Sequence, residues 1–243
     1  MSSEISIQKL QSEIDKRHLL KHPFYQMWNR GTLPLEVMRK YAEQYYHLEK
    51  NFPTFLSQIH VSCTHDEFDV RQAITNNLYD EEHGIENHRE LWLRFGVSIG
   101  ASRQDIQNSI PLSETNSTIS VFNELTSRSY LEGVSALAAY ESQIPLVAET
   151  KLEGLEKNYA ITDERGQKFF KVHGVMDIEH SNSWWDIIKE HAITEDQKSQ
   201  VTEAVIMGRD ALWSFLDGVC RAYMTTEKQD EMDLLYAELN YAA

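Results

Sequence analysis

The chain has 243 residues, 41% of them hydrophobic, 25% charged and only five proline, the composition of an ordinary globular protein. Its 23 lysines and arginines against 38 acids leave a net charge of −15, which argues against nucleic acid and anionic membrane as partners because both need a basic face. Two cysteines, Cys63 and Cys220, rule out a disulfide scaffold, and no apolar run approaches the length of a membrane span, so the expectation is a cytoplasmic protein without signal peptide or membrane segment.

Helical periodicity runs through almost the whole chain, and strand-like alternation never persists. In chain order the pattern predicts helices over 4–20, 23–30, 34–62, 67–96, 117–158, 164–191 and 195–224, with kinks at Pro53 and Pro145. Punctuation agrees: Thr32-Leu33-Pro34, Gly96 to Gly100, Pro111 to Asn116, Thr162-Asp163, and Thr194 with Asp196 as a helix entry. No linker, repeat or composition shift divides the chain. The expectation is one all-α domain of about seven helices over 1–224, followed by a loosely held acidic tail over 225–243.

Three of these helices carry the wrong residues on their apolar stripes. A core-facing helix repeats apolar residues at alternating steps of three and four. The stripe over 67–96 reads Ile74, Leu78, Glu81, Ile85, His88, Trp92, Phe95. Over 117–158 it reads Val134, Leu137, Glu141, Ile144, Ala148, Lys151, Leu155, and over 164–191 Phe169, His173, Asp177, His180, Trp184, Ile187. An unpartnered buried carboxylate costs several kcal/mol. Acids and imidazoles in place of leucine on three helices therefore point to one shared metal centre. Glu81, Glu141, Asp177, His88, His173 and His180 are too many for tetrahedral zinc. They suit two ions of the iron or manganese kind, with positions left open for oxygen. The spacing also differs from the Glu-x-x-His pairs of ferritin-like bundles. His60 and His18 read as core histidines, and Glu82, Glu86 and Glu90 as a solvated charge face.

The motifs Asp80-Glu81-Glu82-His83-Gly84, Asn87-His88, Leu91-Trp92, Tyr140-Glu141-Ser142-Gln143-Ile144-Pro145 and His173-x3-Asp177-x2-His180 resemble the CADD-type proteins of the haem-oxygenase-like superfamily, beside pyrroloquinoline-quinone synthase and the thiaminase-like proteins. The resemblance runs from about Lys16 to Asp217. It implies a seven-helix haem-oxygenase-like bundle, and a di-iron or iron–manganese site whose ligands match the six residues above. It further implies an O2-dependent, reductant-requiring, self-sacrificing synthesis of para-aminobenzoate for folate. The ring would come from Tyr25 and the nitrogen from Lys151, with Tyr41 beside the metals assisting electron transfer. Phe169 stands where some relatives carry a tyrosine, which removes that position as a donor.

The residues themselves support parts of this. Tyr41 lies on the stripe Met38, Tyr41, Tyr45, Leu48, Phe52, Phe55, Ile59, and Lys151 sits on an apolar stripe where a desolvated amine is a better nucleophile. The competing readings are a true oxygenase or oxidase of an external amino acid, amine or fatty acid, and a non-enzymatic interaction protein. A thiaminase would need a cysteine on the helix of Glu141, which has none. Haem bound through His18 would collide with the metal ligands. Small molecules (O2 and a reductant) are the expected partners, and a homodimer the expected assembly.

Overall fold

Capping and packing explain where each helix begins. In the computed structural model, which describes residues 4–242, the Ser6 hydroxyl accepts the Lys9 amide and opens α1 (Ile7–Lys16). His18 caps a short 3-10 turn, Leu19–Lys21, through its Nδ1. His22 caps α2 (Pro23–Arg30) in the same way, accepting the Phe24 amide, and Pro23 fills the first turn where its missing N–H is harmless. Then follow α3 (Leu35–Ser62), α4 (Phe68–Glu82), α5 (His88–Ser98), α6 (Arg103–Asn108), α7 (Ser113–Arg128), α8 (Tyr130–Glu141), α9 (Ile144–Tyr159), α10 (Glu164–His191), α11 (Glu195–Tyr223) and α12 (Thr226–Ala242).

The all-α class is as expected, but among the described residues there are twelve α-helical segments, not seven. The helix expected over 67–96 breaks after Glu82, where Gly84 adopts φ +77° in the left-handed region. Ile85, expected on the buried stripe, is consequently 89% exposed. The helix expected over 117–158 becomes α7, α8 and α9. Ser129 is extended and caps α8 through its hydroxyl, and Pro145 falls in the first turn of α9 rather than at a kink. α3 does run through Pro53. The segment read as a loose tail forms α12, whose Met232 and Leu235 are buried. Its charge hid a weak apolar face.

The buried apolar side chains, Trp213 excepted, form a single cluster. α8 lies at its centre, buried from Leu131 to Glu141 and packed against α7, α10 and α11, with α3 crossing behind. α10 lies between α8, α9 and α5. α2 packs on α9 through a close approach at Gly154, where an added Cβ would fall 2.5 Å from the Trp28 ring. There the Trp28 indole donates to the Lys151 carbonyl at 3.3 Å, fixing Lys151 beside the helix that bears Tyr25.

Candidate metal centre and the adjoining tyrosine–lysine cavity

The break between α4 and α5 sets the geometry of the site. On an unbroken helix, Glu81 and His88 would lie about 10 Å apart along the axis. With the turn at Gly84, Glu81 Oε1 and His88 Nδ1 come to 3.0 Å, though not in hydrogen-bond alignment. α10 contributes His173, Asp177 and His180 from one face, and α8 ends on Glu141. The six residues expected from the stripes are all nine-tenths or more buried. Ligand atoms of Glu141, Asp177 and His180 fall within 4.8 Å of one another.

A second group with the same compactness is Glu49, His88 and His173. Glu49, on α3, is absent from the sequence-based set. It is 6% exposed, and its Oε1 has no hydrogen-bond partner among the described residues. Its position was readable: it follows Tyr45 by four residues and precedes Phe52 by three, on the face that lines the cavity. The adjoining Leu48 completed the apolar stripe and concealed it.

Surrounding residues hold the donors in place. His173 Nδ1 donates to the Phe169 carbonyl at 2.8 Å, which leaves Nε2 with its lone pair free. The Phe169 ring stacks on the His173 ring with centroids 3.9 Å apart. His180 Nε2 bonds Asp80 at 3.2 Å, so Nδ1 turns toward Asp177 at 3.5 Å and Glu141 at 3.7 Å. Asn77 donates to Glu141 Oε1 at 3.0 Å, and the Trp184 indole donates to Oε2. The Nδ1 atoms of His88 and His180 are buried without a hydrogen-bond partner. Orphaned buried polar atoms of this kind are costly unless something binds them.

The electrostatics agree. Four carboxylates (Glu49, Glu81, Glu141, Asp177) share a cavity of about 20 Å³ that no described lysine or arginine lines. Burial, aided by Asp177, pushes Glu141 up to about 8. Burial likewise raises Asp177 to about 6, and Glu49 well above the carboxylate range with Glu81 adding to the effect. Burial alone would lower His88 and His180, but neighbouring carboxylates outweigh it and lift both to about 9. His173, buried beside His88, stays well below the ordinary imidazole value. Without cations the cluster stores protons, whereas two divalent ions would balance its four negative charges. The donor set and its orphaned atoms fit such a pair of ions. An exposed group, Asp69, Glu190 and His191, fits less well because Tyr130 and Asp69 already occupy both His191 nitrogens.

Beside this cavity lies another of about 20 Å³, lined by Tyr25, Tyr41, Lys151, Leu19 and residues of α11. Tyr45, Tyr140 and Ile144 line both cavities, and the Tyr45 and Tyr140 hydroxyls are hydrogen-bonded to each other across the divide. Lys151 is 4% exposed and donates from Nζ to the Tyr41 hydroxyl at 2.7 Å. Its Nζ lies 4.9 Å from the Tyr41 ring centroid, 5.1 Å from Phe170 and 5.4 Å from Tyr25. Burial pulls its pKa down to about 7 and keeps Tyr25 and Tyr41 protonated well above neutrality. The structure thus gathers Tyr25, Tyr41 and Lys151 at one place, next to the six residues and Glu49.

Comparison with known proteins shows the family to which the chain belongs. Residues 39–213 match the haem-oxygenase family model described as "Iron-containing redox enzyme". A 4-aminobenzoate synthase of Nitrosomonas europaea is 38% identical over 231 residues, covering 92% of this chain and 94% of that protein. The chain belongs to this haem-oxygenase-like family of iron redox enzymes. A 4-aminobenzoate synthase of Chlamydia muridarum is 34% identical over 87% of this chain and 88% of its own length. Among solved structures, a TenA homolog from Pseudomonas syringae superposes with a TM-score of 0.77 at 17% identity, covering 88% of this chain and 92% of that one, a likeness of fold. No described helix is long and apolar enough to cross a membrane.

Proposed function

We propose that this protein forms 4-aminobenzoate from its own Tyr25, with the Lys151 amine as nitrogen source, at a centre of two metal ions held by Glu49, Glu81, His88, Glu141, His173, Asp177 and His180. The name of the Nitrosomonas europaea and Chlamydia muridarum relatives supports the product. The observation that carries the reading is the size of the two cavities. Each holds about 20 Å³, room for about one water molecule, so neither admits an external aromatic ring beside Tyr25 and Lys151; a roomier pocket of about 250 Å³ shares Glu49 and Glu81 but is lined by neither Tyr25 nor Lys151. The ring consumed is then one of the protein's own, and of the four tyrosines that line the second cavity (Tyr25, Tyr41, Tyr45 and Tyr140) the family resemblance marks out Tyr25.

Iron, or iron with manganese, supplies O2-dependent oxidation when bound, and an external reductant completes the electron count. The chain's own residues do the rest. The shared wall of Tyr45, Tyr140 and Ile144 divides the Tyr25 cavity from the metal cavity. Tyr41 anchors the Lys151 amine at 2.7 Å. With burial setting the amine near 7, about half of it carries a free lone pair at neutral pH, as a nucleophile must. Cleavage of the Tyr25 Cα–Cβ bond leaves Cβ as the product's carboxyl carbon. The Lys151 nitrogen replaces the phenol oxygen, which leaves as water, and the Lys151 Cε–Nζ bond breaks with Cε oxidised to an aldehyde at the expense of O2, so each chain reacts once.

The test is peptide mass spectrometry on protein loaded with Fe(II) and Mn(II), reduced and exposed to air without added substrate. The expected result is a glycine-like residue at position 25 and 4-aminobenzoate in solution, both abolished in Tyr25→Phe. An intact Tyr25 in metal-replete, oxygen-consuming protein would refute the reading in favour of an external substrate.

A further inference from the structure

A large groove lies on the far side of the Tyr25 cavity. Its volume is about 1160 Å³, and it runs between the end of α1, the Leu19–Lys21 turn, α11 and α12. In a chain of net charge −15 its wall carries four cations (Lys16, Arg17, Lys21 and Arg221) against the carboxylates of Asp15, Asp217 and Asp233. Asp217 is already engaged by His22 and Tyr236. Lys16, Arg17 and Arg221 pair with Glu13, Asp210 and Glu114 in solvent-exposed bridges of the kind worth little, whereas Lys21 bonds the Asp15 main-chain carbonyl and has no carboxylate partner among the described residues. The Trp213 ring lines the groove, with the Arg17 guanidinium 6.0 Å from its centroid. Cations beside an aromatic face are the chemistry that recognises a planar aromatic anion.

The walls connect the groove to the inner cavity. Leu19 lines the Tyr25 cavity and Lys21, two residues on, lines the groove. On α11, Leu212, Phe215 and Leu216 face inward while Trp213 and Asp217 face the groove. One three-residue turn and one stretch of helix therefore separate the two spaces. We infer that the groove is a binding site for an aromatic carboxylate, and that it receives the product as it leaves the Tyr25 cavity past the Leu19–Lys21 turn. The identity of that ligand rests on the function proposed above; the chemistry of the site does not. A groove this wide exceeds the size of a one-ring acid, which suits weak capture and release rather than storage.

The experiment is a calorimetric titration of the metal-loaded full chain with 4-aminobenzoate and, separately, with the neutral 4-aminobenzamide. Photolabelling with 4-azidobenzoate and peptide mapping follow. The acid is expected to saturate a single site and the amide to bind at least tenfold more weakly. Label is expected in peptides containing residues 16–21 and 213–236. Lys21→Glu is expected to weaken the acid at least tenfold at unchanged metal content and melting temperature. Should that variant fold poorly, Lys21→Gln gives the same comparison with a smaller loss. Equal binding of acid and amide, an unaffected Lys21 variant, or label confined to other peptides would overturn the inference. The two failures are separable. A chain that labels in the groove but keeps Tyr25 intact loses the proposed function only, whereas one that consumes Tyr25 and never labels there loses the groove only.

Discussion

Lys151 offers the sharpest quantitative test, because a buried amine should destabilise the fold that needs it. Its pKa falls from an ordinary 10.5 to about 7 through burial, which corresponds to about 5 kcal/mol against the charged form. The surrounding rings favour the ammonium by about 2 kcal/mol at most, so desolvation prevails. Between pH 7 and 10.5 the unfolded chain binds one proton more than the folded chain at this residue, so stability rises with pH across that window. Below pH 7 both states are charged and the full penalty stands. Lys151→Met removes the penalty and loses the bond to Tyr41, worth about 1 kcal/mol. The variant should therefore be about 3 kcal/mol more stable than the parent at pH 7, and the gap should shrink by about 2 kcal/mol by pH 9. Urea unfolding of both metal-free proteins at the two pH values measures this, and titrations of the metal-site groups other than Glu49 and His173, which feel the Lys151 charge, cancel in the difference. A variant less stable than the parent, or a gap independent of pH, would refute the reasoning. The same variant should form no 4-aminobenzoate, so stability and activity would move in opposite directions.

Metal binding should release protons, because Glu141 near 8 and His88 and His180 near 9 are protonated at neutral pH in the empty cluster. Affinity should accordingly fall as pH drops from 9 to 6, and calorimetry in buffers of different ionisation enthalpy should count at least one proton released at pH 7; a pH-independent affinity would contradict the cluster. Glu49→Gln should reduce bound metal from two ions to one per chain by elemental analysis, while two ions retained would remove Glu49 from the set. Trp184→Phe, which deletes the indole donor to Glu141, should weaken metal affinity by about tenfold to a hundredfold without removing a ligand. Leu235→Ala should cost about 2–4 kcal/mol in urea unfolding if α12 is packed as described, and nothing if it is detached.

How legible the site was depended on how each residue sits in its helix. His173, Asp177 and His180 could be read directly, since a continuous helix turns positions i, i+4 and i+7 onto one face and α10 is continuous across them. Glu81 and His88 were identified for a reason the structure replaces. They share a stripe in the sequence, but a straight helix would hold them a full cavity apart, and the left-handed Gly84 brings them together. Periodicity registers which residues avoid solvent and is blind to a break that keeps the phase on both sides. The same blindness merged α7, α8 and α9, because the chain re-enters each helix with its apolar face still inward.

Glu49 shows the opposite failure. The stripe beside it was already completed by Leu48, so Glu49 took no place in the apolar pattern. Its spacing to Tyr45 and Phe52 puts it on their face, and the assembled fold shows that this face lines the cavity and leaves Glu49 Oε1 without a hydrogen-bond partner among the described residues. α12 was misjudged on similar grounds: its acids set the average, while Met232 and Leu235 make the contact. Charge density predicts solvation over a segment, yet one or two buried side chains per turn decide whether that segment is held. That is also why the groove between α11 and α12 had no sequence signature. Lys16, Arg17, Lys21 and Arg221 are scattered over two hundred positions, and packing alone makes them one surface.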